Sequence, residues 1–223
     1  ATLNSGTISC GGDFLVENNV TNDLVFDGCI LVMNGISDQH IFNQDDANFV
    51  LHNLTIDNPG NCHIEDGDLT VNGDLLIDEG NLELNGYEVM CAGDVTIMDG
   101  GKISVDENAI LRVGQNHVLS VNDGGILKVM GEPGDRAMIS VTPEGTGYYS
   151  FDINGGGIIG ARRAIFERMD ANGVFLHTGA VVEPAYPFDQ CIFRDGISGS
   201  AALIVIQNDQ DFTVTEAVFP DNT

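Results

Sequence analysis

Asp78, Asp99 and Asp123 each follow a short apolar run and open a turn, and they recur at one corner of a loose repeat. Carboxylates on the same corner of stacked coils would lie about 4.8 Å apart and repel by roughly 1 kcal/mol per pair in water. A divalent cation relieves that repulsion. Calcium, which takes about six to eight oxygens including turn carbonyls, suits such a corner. These three aspartates are therefore the candidate metal ligands, with calcium as the candidate ion and no cofactor required. Asp74 and Asp94 share a second corner. The competing reading is a set of solvated Asp turns, since no Gly-Gly-x-Gly-x-Asp nonapeptide accompanies them.

Other reactive residue types are scattered. His40, His52, His63, His117 and His177 fall on different coils without H-x-H or H-E-x-x-H spacing, so the pattern does not point to zinc. Ser198 and Ser200 lie in Gly196-Ile197-Ser198-Gly199-Ser200, which lacks the G-x-S-x-G nucleophile pattern and reads as a flexible loop. Asp45-Asp46 is the one adjacent Asp pair and Arg162-Arg163 the one basic doublet.

The elements that carry these residues are short strands separated by Gly, Asp and Asn turns. Gly73-Asp74-Leu75-Leu76-Ile77, Gly93-Asp94-Val95-Thr96-Ile97 and Val118-Leu119-Ser120-Val121 each lead through a turn into a second strand. Those second strands are Asn81 to Leu84, Lys102 to Val105 and Ile126 to Val129, and Gly67-Asp68-Leu69-Thr70-Val71 belongs to the same set. Ile77, Ile97 and Val121 are equivalent, at spacings of 20 and 24 residues. Alternation with period two marks half-buried strands, and a strand repeat of this length marks one unit stacked on copies of itself. The expected fold is an all-β, single-stranded parallel β-solenoid, right-handed, of about nine coils.

We expect one domain over 1–223: irregular coils in 1–66, regular coils in 67–130, loops in 131–147 around a strand from Ala137 to Val141, and longer coils in 148–223. In that last part Ile165-Phe166, Ile192-Phe193 and Val218-Phe219 recur at spacings of 27 and 26 residues. Alternation places Phe166, Phe193 and Phe219 on one face with Ala164, Cys191 and Ala217, which predicts an interior phenylalanine stack. Ala1 to Cys10 and Thr213 to Phe219 both read as strands rather than cap helices.

Thirty-four acids face eight bases, a formal net charge of −26. Such a surface repels phosphate, so neither nucleic acid nor anionic membrane is an expected partner. No apolar run reaches the length of a membrane span, and no secretory signal pattern opens the chain. Despite the charge, 43% of residues are hydrophobic and patterned, which argues against disorder. The cysteines are Cys10, Cys29, Cys62, Cys91 and Cys191. Interior packing is the favoured reading for each, with disulfide bonding the alternative. Cys10 and Cys29, 19 residues apart, are a candidate pair on neighbouring rungs. Sequons at Asn19 and Asn53 permit glycosylation.

The run Gly124-Gly125-Ile126-Leu127-Lys128-Val129-Met130-Gly131, followed by Met138-Ile139-Ser140-Val141, resembles the middle of right-handed parallel β-helix (pectin-lyase-like) proteins of microbial cell surfaces. The rungs Ala164-Ile165-Phe166-Glu167 and Cys191-Ile192-Phe193-Arg194 look like that family too, so the likeness covers roughly residues 67–219. It implies the solenoid fold and raises polysaccharide cleavage, because the superfamily includes lyases and hydrolases. The companions those enzymes need are absent: Asp45-Asp46 lacks Asn-Thr-Asp and Gly-His-Gly partners, and no Asp-rich rung accompanies Arg162-Arg163. The expected function is that of an extracellular or cell-surface structural protein, a self-assembling subunit of a filament, sheath, surface layer or adhesive stalk. Its expected partners are further copies stacked through the solenoid ends and a cell-surface glycan. The alternative is a polysaccharide-active enzyme or carbohydrate-binding module, for which an aromatic strip is the missing feature: there is no Trp and only Tyr87, Tyr148, Tyr149 and Tyr186.

Overall fold

Runs that alternate apolar with polar residues become strands with one buried face. The computed structural model of the chain describes residues 2–17, 25–44, 49–143, 146–197 and 203–220. Among the described residues there is no helix, and the strands form two sheets of nine and fifteen, with all the named strands paired in parallel. They stack as a β-solenoid of about eight turns.

Each turn presents three faces. The smaller sheet takes one strand from each turn, among them Leu69–Val71, Glu88–Cys91, Ile110–Val113, Ala137–Val141, Ala164–Glu167 and Ile192–Arg194. The larger sheet supplies the other two faces, because Asn53–Glu65 and Leu75–Glu83 run round a corner and pair on both sides of it. The irregular first coils join the same ladders: Gly6–Cys10 pairs with Cys29–Met33, and Phe14–Val16 pairs with Gln39–Asn43.

The register makes inward columns. Ile56, Ile77, Ile97, Val121, Ile153 and Leu176 lie directly over one another and are fully buried. Leu69, Val89, Leu111, Ile139, Phe166 and Phe193 form another such column. The phenylalanine stack is present, with ring centroids 5.2 Å apart for Phe166–Phe193 and 5.0 Å for Phe193–Phe219. Phe219 ends the stack and is 48% exposed. Thr213 to Phe219, expected as a strand, makes only the single bridge Val218–Ile192. Glu216, at φ 51°, breaks the extended run that a longer ladder would need.

Corners are tight enough to demand glycine in places. Gly80 has φ 83°, and a Cβ there would fall on the Asn58 carbonyl oxygen. Gly100 has φ 82°, but its nearest such neighbour is the Glu79 Cγ at 3.9 Å. Gly100→Ala should therefore cost only the left-handed backbone penalty of about 1–2 kcal/mol. Gly80→Ala adds a backbone clash and should cost at least about 1 kcal/mol more. Urea unfolding of the two variants side by side checks this, and equal midpoints would contradict the close approach at Gly80.

Candidate functional site

Asp99 and Asp123 occupy one register position, because Ile97 pairs with Val121 and Lys102 with Ile126 across corners of equal length. Their carboxylates reach over the turn glycines of the following coil, Gly124 and Gly156. Asp78 sits on a corner one residue shorter: Ile77 pairs with Ile97, but Gly80 pairs with Gly101. Counting forward puts Asp78 level with Met98, and counting back puts it level with Asp99. Among the described residues, no group of three or more acids, histidines and cysteines gathers closely enough to hold a metal ion.

The second acidic corner has a structural task. The Asn53 Oδ1 accepts from the Asp74 N–H at 2.7 Å, and the Asp74 Oδ1 accepts from the Asp94 N–H at 3.0 Å. The Asp94 Oδ1 in turn accepts from the Val118 N–H at 3.0 Å and from the His117 Nδ1 at 2.8 Å. Each side chain thus satisfies a turn amide one coil further on, where the ladder leaves it without a carbonyl. Asp13, Asp38 and Asp68 do the same for the amides of His40, Asn61 and Glu88, and Asp106 reaches back to the Gly86 amide of the preceding coil. These six aspartates are therefore part of the corner chemistry of the solenoid. An open surface hollow of about 320 Å³ lies over this corner, bordered by Asn53, Thr55, Asp74, Leu76, Asp94 and Thr96.

The arginine doublet is held by acid. Arg162 and Arg163 reach Glu132 at 3.2 and 3.5 Å, and Arg163 donates to the Gln190 Oε1 at 2.9 Å. Lys128 and Arg162 both lie over the Tyr186 ring, and Lys128 contacts Glu183 at 3.2 Å. Tyr149 is fully buried beside Phe151, and burial pushes its phenol well above the usual range. It adds to the core rather than to a surface platform.

Histidines on different coils are brought together at one place. His40 and His63 are register partners with rings stacked 4.9 Å apart. The His40 Nδ1 is hydrogen-bonded to the Glu65 Oε1 at 2.9 Å, and the His63 Nδ1 lies 3.0 Å from the Glu83 Oε2 and 3.4 Å from the Asn85 Nδ2. Glu83 is itself held by the Asn81 Nδ2 at 2.7 Å. His117 and His177 stand apart, each against one aspartate, Asp94 and Asp152.

The expected juxtaposition of Cys10 and Cys29 does not occur. Cys10 is level with Met33 and Cys29 with Gly6, because this coil advances 23 residues rather than 19. Cys29, Cys62, Cys91 and Cys191 are buried, as the packing reading requires. Burial pushes the Cys62, Cys91 and Cys191 thiols up to about 12, so they are poor nucleophiles at neutral pH. Cys10 alone is half-buried. Asp45, Asp46, Ser198, Ser200 and the sequon residue Asn19 lie outside the described residues. Asn53 is described, and its side-chain oxygen is engaged by Asp74. No helix among the described residues is long and apolar enough to cross a membrane.

Comparison of the chain with protein-family models, with curated proteins and with solved structures finds no match.

Proposed function

We propose that the chain is an extracellular or cell-surface structural protein that assembles by stacking solenoid ends into a filament, sheath, surface layer or stalk. The observation that carries this reading is the state of the terminal rungs. Columns that are fully buried in the middle become half-buried at Ile8, Cys10, Phe14 and Val16. At the other end Ile206, over Leu176, and Phe219, over Phe193, are 49% and 48% exposed. A further coil, from a second copy or from more chain of this kind, covers those residues and continues the main-chain ladders.

Kinship with the pectin-lyase-like β-helices of microbial surfaces belongs to the same proposal. It is supported by the three-faced parallel stack, and a right-handed sense follows from the general preference of parallel crossovers. A cell-surface glycan is the proposed non-protein partner, and nucleic acid is excluded from the proposal by the excess of 34 acids over eight bases. Side-by-side contacts must overcome the charge of −26, so salt or calcium at corners such as Asp99 and Asp123 is expected to promote them. Cys10 is the thiol available for a covalent link between copies.

Sedimentation and electron microscopy across salt, calcium and reductant test the proposal. Ordered polymers are expected, with lateral contacts weakening at low salt and axial ones persisting. Phe219→Asp should shorten the polymers while leaving the melting temperature within a few degrees. A monodisperse monomer at high concentration in every condition would count against assembly and favour an enzyme or binding module.

A further inference from the structure

We propose that Asn81 and Lys102 are a self-modification site, joined by an isopeptide bond that the folded chain forms between two neighbouring coils. The two residues are register partners on Leu75–Glu83 and Gly101–Val105, and Glu83 and Ser104 are partners two residues further on. Leu82 and Ile103 between them are fully buried, so alternation sets Asn81, Glu83, Lys102 and Ser104 together on the outer face of two rungs. Stacked rungs lie about 4.8 Å apart, a distance that the four methylenes of a lysine span.

The Asn81 amide is 8% exposed and held at each of its polar atoms. Its Oδ1 accepts from the Ser104 Oγ at 3.0 Å, and its Nδ2 donates to the Glu83 Oε1 at 2.7 Å and to the Asn61 Oδ1 at 3.1 Å. The second observation is the amine. Lys128 pairs with Glu183 at 3.2 Å, but Lys102 makes no ion pair among the described residues. Lys102 stands in register between Asn81 and the apolar Ile126 of the next coil. Burial first, and then the charge of Lys128, lower its pKa, against Glu83 and Glu183, which raise it. A lysine desolvated beside another cation is an activated nucleophile.

The Lys102 Nζ, after losing one proton to water, attacks the Asn81 Cγ and forms the new C–N bond. The Ser104 hydroxyl already donates to the oxygen that becomes negative, and it stabilises that charge. Glu83, within hydrogen-bond reach of the leaving nitrogen, takes a proton from the attacking amine and returns it to Nδ2. The Cγ–Nδ2 bond breaks, and the ammonia released takes up in water the proton first lost. A lysine ammonium and a carboxamide thus become a secondary amide and an ammonium ion, with no change of oxidation state. Fixed register replaces a bimolecular encounter and supplies much of the rate.

Intact-mass spectrometry of the full chain tests the bond. The wild-type mass should fall below the sequence mass by one molecule of ammonia. Trypsin gives a second readout, because Lys102 is the first lysine or arginine of the chain and Arg112 the next. An acylated lysine is not cut, so the denatured chain should release residues 1–112 as one fragment. Glu83→Gln should show its full mass and a cut after Lys102, with circular dichroism unchanged. Lys102→Arg should also show its full mass, whereas Lys128→Arg keeps the neighbouring cation and should keep the bond. A wild type of full mass that trypsin cuts after Lys102 would overturn the proposal and make Asn81 a hydrogen-bonded ladder residue. A deficit that survives Lys102→Arg would overturn it too, since an Asn-Gly succinimide also loses ammonia.

Discussion

Replacing Phe193 with alanine is expected to destabilise the solenoid by about 3–5 kcal/mol. The ring is fully buried between Phe166 and Phe219, at 5.2 and 5.0 Å, and Phe188 lies against it at 5.8 Å. Removing it deletes transfer energy and leaves a cavity walled by backbone ladders, which relax poorly because each coil is tied to the next. Aromatic pairing contributes roughly 0.5–1.5 kcal/mol per pair beyond area burial. Phe193→Leu keeps most of the volume and should cost markedly less. Phe219→Ala, at a half-exposed position, should cost the least of the three. Denaturant unfolding of these variants checks the order, and a loss below about 1 kcal/mol for Phe193→Ala would be inconsistent with full burial.

Asn58→Ala should be nearly as damaging. Asn58 is fully buried at a corner of the larger sheet, with its Nδ2 donating to the Ser37 carbonyl and the Gln39 Oε1, both at 2.8 Å. Its Oδ1 accepts from the Gly60 N–H at 2.8 Å. Gln39, also buried, ties the same corner to the first coil through the Cys10 carbonyl at 2.9 Å. Truncation leaves the half-buried Gly60 amide unpaired and takes one of two bonds from the buried Gln39 Oε1, while the exposed Ser37 carbonyl turns to water. At about 1–3 kcal/mol for the unsatisfied amide and about 0.5–1.5 kcal/mol for the lost bond, the loss is about 2–4 kcal/mol. Asn58→Asp has the same shape but sets an acceptor against two acceptors and buries a charge, so it should be at least as harmful. If Asn58→Asp matched wild type in urea unfolding at neutral pH, the network would not be what holds this corner.

The all-β parallel solenoid was legible in the sequence because burial on a strand has period two and turns need Gly, Asn or Asp. The equivalence of Ile77, Ile97 and Val121 and the placement of Phe166 and Phe193 follow from that alone. Two counts taken along the chain failed at the corners. Asp78 shares only part of the register of Asp99 and Asp123, since its turn is one residue shorter, and Cys10 meets Met33 instead of Cys29.

The physical reason is that corners absorb insertions while ladders do not. The inward column advances 20 residues from Leu75 to Val95, 24 from Val95 to Leu119 and 32 from Leu119 to Phe151. An apolar residue finds the interior whatever the coil length, because burial acts on each strand separately. Contact between two polar side chains requires the number of residues between them to equal one particular coil. His40 and His63 satisfy that condition at a spacing of 23. Nothing in either local segment marks them as neighbours, so the tertiary structure alone decides that the two imidazoles meet.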